Sequence, residues 1–164
     1  MKFAVIWDMD GVLIDSAMAV FNSFKTVLNK HGINYTYEEH KNHKGRALHD
    51  SIKDWNKLYN TKILREHFDL DAWKIERVAM KKLVLNSDLL NLLKELKSKD
   101  VPMGVGTSSG KVRADFILKD ILHIREYFRV IITSEDVKEH KPNPQVFLAA
   151  AKKLNVEPEK CVVI

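Results

Sequence analysis

Phe3-Ala4-Val5-Ile6-Trp7-Asp8-Met9-Asp10-Gly11-Val12-Leu13-Ile14-Asp15-Ser16 is the stretch that decides the fold. It begins with an unbroken apolar run, Phe3 to Trp7, and turns abruptly acidic at Asp8-Met9-Asp10-Gly11. A short apolar run ended by a glycine turn reads as a buried strand of a parallel sheet. Asp8 then leaves the carboxyl end of a central strand, the edge where open α/β sheets bind their ligands. Alternation along the strand sends Asp8 and Asp10 to one side, and Gly11 permits a sharp turn just beyond them.

Two carboxylates at this spacing suit attack on phosphorus. One serves as nucleophile and metal ligand, and the other moves a proton. Attack by a carboxylate forms an acyl phosphate and splits one hard step into two easier ones. A divalent cation balances the charge; Mg²⁺ favours one or two carboxylates with waters and phosphate oxygens. A calcium loop and a pair of solvated loop acids are the alternatives. The calcium loop needs further oxygen ligands, yet Val12 and Leu13 follow and no Glu closes the loop.

Composition sets the outer bounds. The 164 residues are 45% apolar, enough for a core, and suit one domain or one domain with an insert. No apolar stretch is long enough to span a bilayer, and the start lacks the pattern of a signal peptide. The single Cys161 has no internal disulfide partner, so a cytoplasmic location is expected. The net charge of +5 is spread over the chain, with Lys81-Lys82 and Lys152-Lys153 read as solvated helix faces. It favours anionic substrates, and no nucleic-acid partner is expected, since no interleaved aromatics or binding motif accompany it.

Outward from the acidic loop, Asp15 or Ser16 caps a helix carrying Met18, Phe21, Phe24, Val27 and Leu28, with Gly32 as its stop. Thr36 with Glu39 forms a capping box for a short helix. Further helices are expected over 47–59, with Leu48, Ile52, Trp55 and Tyr59 inward, and over about 71–85, carrying Trp73, Val78 and Leu83. No strand is legible between Gly32 and Leu85, so this segment is a helical insert. Ser87 then caps a helix over 88–99 with a leucine stripe at Leu89, Leu92, Leu93 and Leu96. Strands follow over 102–106, 130–132 and from Cys161 to Ile164. They alternate with helices over 111–122, carrying Val112, Phe116, Ile117 and Ile121, and from Asn143-Pro144 onward. Strands alternating with helices on both sides of an insert indicate a three-layer α/β fold around a parallel sheet.

Two more positions lie at strand ends. Thr107 follows the second strand, and its hydroxyl with the amides of Ser108 and Ser109 can cradle an anion where the next helix begins. A plain helix cap by Ser109 is the competing reading. Lys141 lies in His140-Lys141-Pro142-Asn143-Pro144, a loop stiffened by two prolines, suited to a lysine that offsets phosphate charge. A surface lysine in a turn is its competitor.

Asp8 to Val12, Thr107, and Lys141-Pro142-Asn143-Pro144 running into Val146-Phe147 resemble the first three motifs of the haloacid dehalogenase superfamily. The resemblance covers essentially the whole chain and is nearest the members with a helical cap, the phosphoglycolate phosphatase and β-phosphoglucomutase group. It implies a Rossmann-like core over 1–15 and 86–164 and a cap over 16–85. It implies Asp8 as nucleophile, Asp10 as general acid and base, Thr107 as phosphate ligand and Lys141 as charge stabiliser. Mg²⁺ is implied on Asp8 and the backbone carbonyl of Asp10. Gly11, Ser108 and Ser109 are expected to bind the phosphate of a small metabolite.

Specificity is expected from the cap, at Lys44, Gly45, Arg46 and His49; a solvated basic turn is the alternative there. Lys53 raises a Schiff-base chemistry seen in the superfamily's phosphonoacetaldehyde hydrolases, which the acid at Asp10 argues against. A Mg²⁺-dependent phosphatase is the leading expectation, with a phosphomutase as alternative. The family's fourth motif, an acidic pair after the fourth strand, would lie beyond Ile164. A longer protein, or a relative that binds without catalysis, are both consistent with that stop.

Overall fold

The computed structural model describes residues 3–43, 46 and 48–164. The chain divides into two compact units, Met1–Asp15 with Leu83–Ile164, and Ser16–Lys82.

The first unit is built on four parallel strands: β1 (Ala4–Trp7), β2 (Met103–Gly106), β3 (Val130–Ile132) and β4 (Cys161–Val163). Their spatial order is β3-β2-β1-β4. From β1 the chain moves to β2 and β3 on one side, then crosses to β4 on the other. The direction of winding therefore reverses beside β1, and the carboxyl ends on either side of such a reversal open a crevice. β1 pairs Trp7 with Val105, so Asp8 and Thr107 leave adjacent strands at the same edge.

Both faces of β1 are covered. Ala4 and Ile6 join Ile132, Val146, Ala150, Ala151 and Leu154 in one cluster, which helix α7 (Gln145–Leu154) closes across β1, β2 and β3. Val5 and Trp7 point the opposite way and are equally buried. Strands sealed on both faces read as continuous apolar runs, which is why Ala4 to Trp7 shows no alternation.

Helix α5 (Ser87–Ser98) is capped by Asn86, whose side chain accepts from the amides of Asp88 and Leu89, and not by Ser87. Both residues are good caps; the helix begins one residue earlier than expected, and Ser87 becomes its first turn. Leu93 is buried while Leu92 lies at the surface. Helix α6 (Lys111–Asp115) runs into a wider π-helical turn at Phe116–Ile121. The adjacent Ile117 and Leu118 are both buried, and Val112, expected inward, is exposed.

The second unit holds α1 (Ala17–Lys30), α2 (Tyr37–His43), α3 (Leu48–Tyr59) and α4 (Arg65–Met80). Its core gathers Phe21, Val27, Leu28, Tyr35, Trp55 and Phe68. The capping box at α2 is present: the Thr36 amide donates to Glu39 at 2.7 Å and the Glu39 amide to the Thr36 hydroxyl at 3.2 Å. Helix α4 starts six residues before the expected 71 and ends at Met80. Its cap position, Leu64, offers no side-chain acceptor, so the sequence carries no start signal there. Its buried face is Phe68, Ala72, Glu76 and Met80, and Val78 is exposed. Among the described residues no helix is long and apolar enough to cross a membrane.

Candidate active site

Asp8 is fixed at the carboxyl end of β1 by its amide, which donates to the carbonyl of Ile164 at 2.8 Å. Its Oδ1 accepts the Met9 amide at 2.7 Å and meets Lys141 Nζ at 3.0 Å. These contacts commit one carboxylate oxygen and leave Oδ2 without a hydrogen-bond partner among the described residues. The two side chains are 34% and 16% exposed, a partly sheltered pair reachable from solvent. Lys141 also donates to the carbonyl of Gly106 at 3.2 Å, and its Nζ sits 4.5 Å from the centroid of the Phe147 ring. The lysine therefore bridges the ends of β1 and β2.

The loop after Asp8 is tightly wound. The Met9 carbonyl accepts from Leu13 at 2.9 Å and Ile14 at 3.2 Å, and Gly11 adopts φ 84°, the left-handed region that glycine enters without penalty. Asp10 takes both arms of Arg113, Nη1 to Oδ2 and Nη2 to Oδ1, each at 2.7 Å. The Ser109 hydroxyl donates to the same Oδ2 at 3.1 Å.

Thr107 is buried. Its amide donates to the carbonyl of Ile132 at 2.9 Å, and its Oγ1 accepts the Ser109 amide at 3.1 Å. The Ser109 carbonyl takes the amide of Ser134 at 3.1 Å. Ser109 is thus a link between three segments, and its amide serves Thr107 in this state. Glu135 accepts the amide of Lys111 at 2.9 Å, closing the start of α6. Asp8, Asp10, Gly11, Thr107, Ser108, Ser109 and Lys141 all belong to the first unit, and direct bonds join Asp8 to Lys141 and Asp10 to Ser109.

Arg113 is the residue that the sequence reading missed. A signal for it exists: α6 opens with Lys111 and Arg113 and no acid in its first turn, against the preference of a helix N-terminus for negative charge. A cation placed there against the dipole calls for a partner, and Asp10 is that partner.

The cap-side residues lie in the second unit. Gly45, with Lys44, falls outside the described residues. Arg46 is exposed and ion-paired with Asp54 at 2.8 Å; His49 is exposed in the first turn of α3. Lys53 is exposed, so it lacks the burial that a Schiff-base role requires. Next to them, His43 Nδ1 lies 3.1 Å from the Ser51 hydroxyl, and the ring packs 5.2 Å from Trp55. Burial, seconded by the charge of Arg46, holds the His43 imidazole below its ordinary pKa. The Tyr59 hydroxyl donates a short hydrogen bond to Glu39, which lowers the pKa of the Glu39 carboxyl.

The model of the haloacid dehalogenase-like hydrolases matches residues 5–164. The chain belongs to that family. A phosphorylated carbohydrates phosphatase of Thermotoga maritima is 31% identical over 161 residues, covering 98% of this chain and 74% of the relative. The fructose-1-phosphate phosphatase YqaB of Escherichia coli is 31% identical over 167 residues, covering 97% of this chain and 84% of the relative. A β-phosphoglucomutase structure from Clostridium difficile superposes with a TM-score of 0.88 at 24% identity, over 99% of this chain and 75% of that one, and shows the same fold. This haloacid dehalogenase-like chain is accordingly a hydrolase, and the two relatives named at higher identity are phosphatases.

Proposed function

We propose that the protein hydrolyses the phosphate monoester of a small metabolite, a phosphorylated sugar or sugar-like alcohol, through an aspartyl-phosphate on Asp8. The observation that carries this is the Asp8–Lys141 pair: one carboxylate oxygen is held by Lys141 and Met9 at 3.0 and 2.7 Å, and the other is free to attack. The names of the two phosphatase relatives support the choice of substrate class.

The chemistry divides into two steps. Asp8 Oδ2 attacks phosphorus, the P–O bond to the metabolite breaks, and the leaving oxygen takes a proton from the Asp10 carboxyl. Water then attacks the same phosphorus, the bond to Asp8 breaks, and the water's proton returns to Asp10. With Arg113 and Ser109 donating to it, Asp10 in this structure has the form of the base that receives that proton. Its acid form needs part of this grip released. Lys141 offsets charge on the phosphoryl oxygens, and Thr107 with Ser108 offers them donors.

The donor set fits Mg²⁺. It consists of hard oxygens, the Asp8 carboxylate and the backbone carbonyl of Asp10. Mg²⁺ binds through one or two carboxylates and keeps several of its waters, and this set supplies one carboxylate and one carbonyl. When bound, Mg²⁺ supplies positive charge against the phosphoryl oxygens.

Turnover of p-nitrophenyl phosphate with Mg²⁺ tests the proposal, comparing the protein with Asp8→Asn. Loss of release in the variant supports it, and undiminished release contradicts it. Supplying a hexose 1-phosphate separates hydrolysis from isomerisation, since free phosphate marks the phosphatase and an isomeric hexose phosphate the mutase.

A further inference from the structure

The ammonium of Lys141 has a seat with three walls. Asp8 Oδ1 is one, at 3.0 Å, and the Gly106 carbonyl is the second, at 3.2 Å. The third is the ring of Phe147, whose centroid lies 4.5 Å from Nζ. A cation within about 6 Å of an aromatic centroid is attracted by the negative face of the ring.

The position of that ring is itself set by β2. A Cβ on Gly106 would stand 2.8 Å from Phe147 Cδ1 and 3.1 Å from Cε1, so the ring rests directly on the bare backbone of Gly106. The residue whose carbonyl accepts Lys141 is thus also the one whose missing side chain admits the ring. From the first turn of α7, Phe147 also packs against the cluster of Ile132, Val146 and Ala150.

We propose that Phe147 is a positioning residue for the reaction, holding the Lys141 ammonium between Asp8 and Gly106 by the electrostatic attraction of its ring face. This rests on the phosphatase reading above. A carboxylate in the same place would hold the lysine equally well, but it would compete with the substrate for its charge. An aromatic ring holds the cation and brings no second anion, so the charge of Lys141 stays available to a phosphoryl group.

A core-filling role for Phe147 makes different predictions. Fluorines added stepwise to the ring at position 147 drain its negative face while nearly preserving its shape. On p-nitrophenyl phosphate, kcat is expected to fall with each fluorine, by roughly three- to thirtyfold across the series, with KM nearly constant. A flat series in an active protein overturns the proposal. Gly106→Ala, whose Cβ would stand 2.8 Å from Phe147 Cδ1 and displace the ring, is expected to lower kcat in the same direction. An independent readout needs no turnover. The Lys141 side-chain protons beside Nζ should be shifted upfield in NMR by the ring current and should return to ordinary values in Phe147→Leu. If the unmodified protein hydrolyses no phosphate monoester, the phosphatase reading fails while this shift still decides the contact. Its presence supports the seat, and its absence overturns it.

Discussion

Arg113 grips Asp10 with two parallel N–H···O bonds of 2.7 Å each, across a sequence separation of 103 residues. The same guanidinium reaches the Ser109 hydroxyl at 2.5 Å, so the loop after β1 and the loop after β2 share one cation. A planar fork matches a carboxylate in this way, and a lysine does not. Arg113→Ala is expected to lower the free energy of unfolding by about 1–2 kcal/mol, a value kept modest because Asp10 is 33% exposed. Arg113→Lys is expected to recover less than half of that loss. Urea unfolding of the three proteins measures both, and equal stability of all three would contradict the role of the fork.

Much of this site is legible in the sequence because its residues follow apolar strands directly. Asp8 and Thr107 each terminate a run that reads as buried strand, and Lys141 sits in a loop stiffened by prolines. The Asp10–Arg113 bond is different in kind. Nothing local ties residue 10 to residue 113, and only a basic pair at a helix start, against the helix dipole, hints that a partner exists. The start of α4 is hidden for a related reason: Leu64 leaves no capping signature, and packing of Phe68 and Ala72 sets where the helix begins. At α5, Asn86 and Ser87 are both able caps, and the three-dimensional path of the chain chooses between them.

Asp10→Asn separates proton transfer from the rest of the chemistry. A sugar or alkyl phosphate has a poor leaving group that needs the proton; p-nitrophenolate hardly does. The substitution is expected to slow the first class by roughly a hundred- to ten-thousand-fold. In the step that precedes the aspartyl-phosphate, p-nitrophenyl phosphate should lose far less, which single-turnover release of p-nitrophenol reports. Equal losses on both substrates would show that Asp10 only shapes its loop.

His43 makes the second unit sensitive to acid. Its pKa is lowered in the folded chain, first by burial and then by the charge of Arg46, against the opposing pull of Asp54 and Glu39. The unfolded chain therefore binds the proton more readily. Stability is fully present above the ordinary histidine value of about 6.5 and declines as pH falls below it towards the lower folded value. The ring Nδ1 also lies 3.1 Å from the Ser51 hydroxyl. Thermal unfolding between pH 7.5 and 5.5 should show this slope, reduced in His43→Gln (~7.5 and ~5.5 bracket the ordinary value). An unchanged slope in the variant would assign the sensitivity to other groups.

In the proposed reaction phosphorus becomes covalently bound to Asp8. The protein is mixed with Mg²⁺ and p-nitrophenyl phosphate, quenched in acid during turnover, and treated with borohydride, which reduces an acyl phosphate to the alcohol. An aspartyl-phosphate at Asp8 predicts that peptide mass spectrometry finds homoserine at position 8 and unaltered aspartate at position 10, with no such change in the absence of substrate. Unmodified Asp8 in a protein that is turning over, together with full activity in Asp8→Asn, would contradict it.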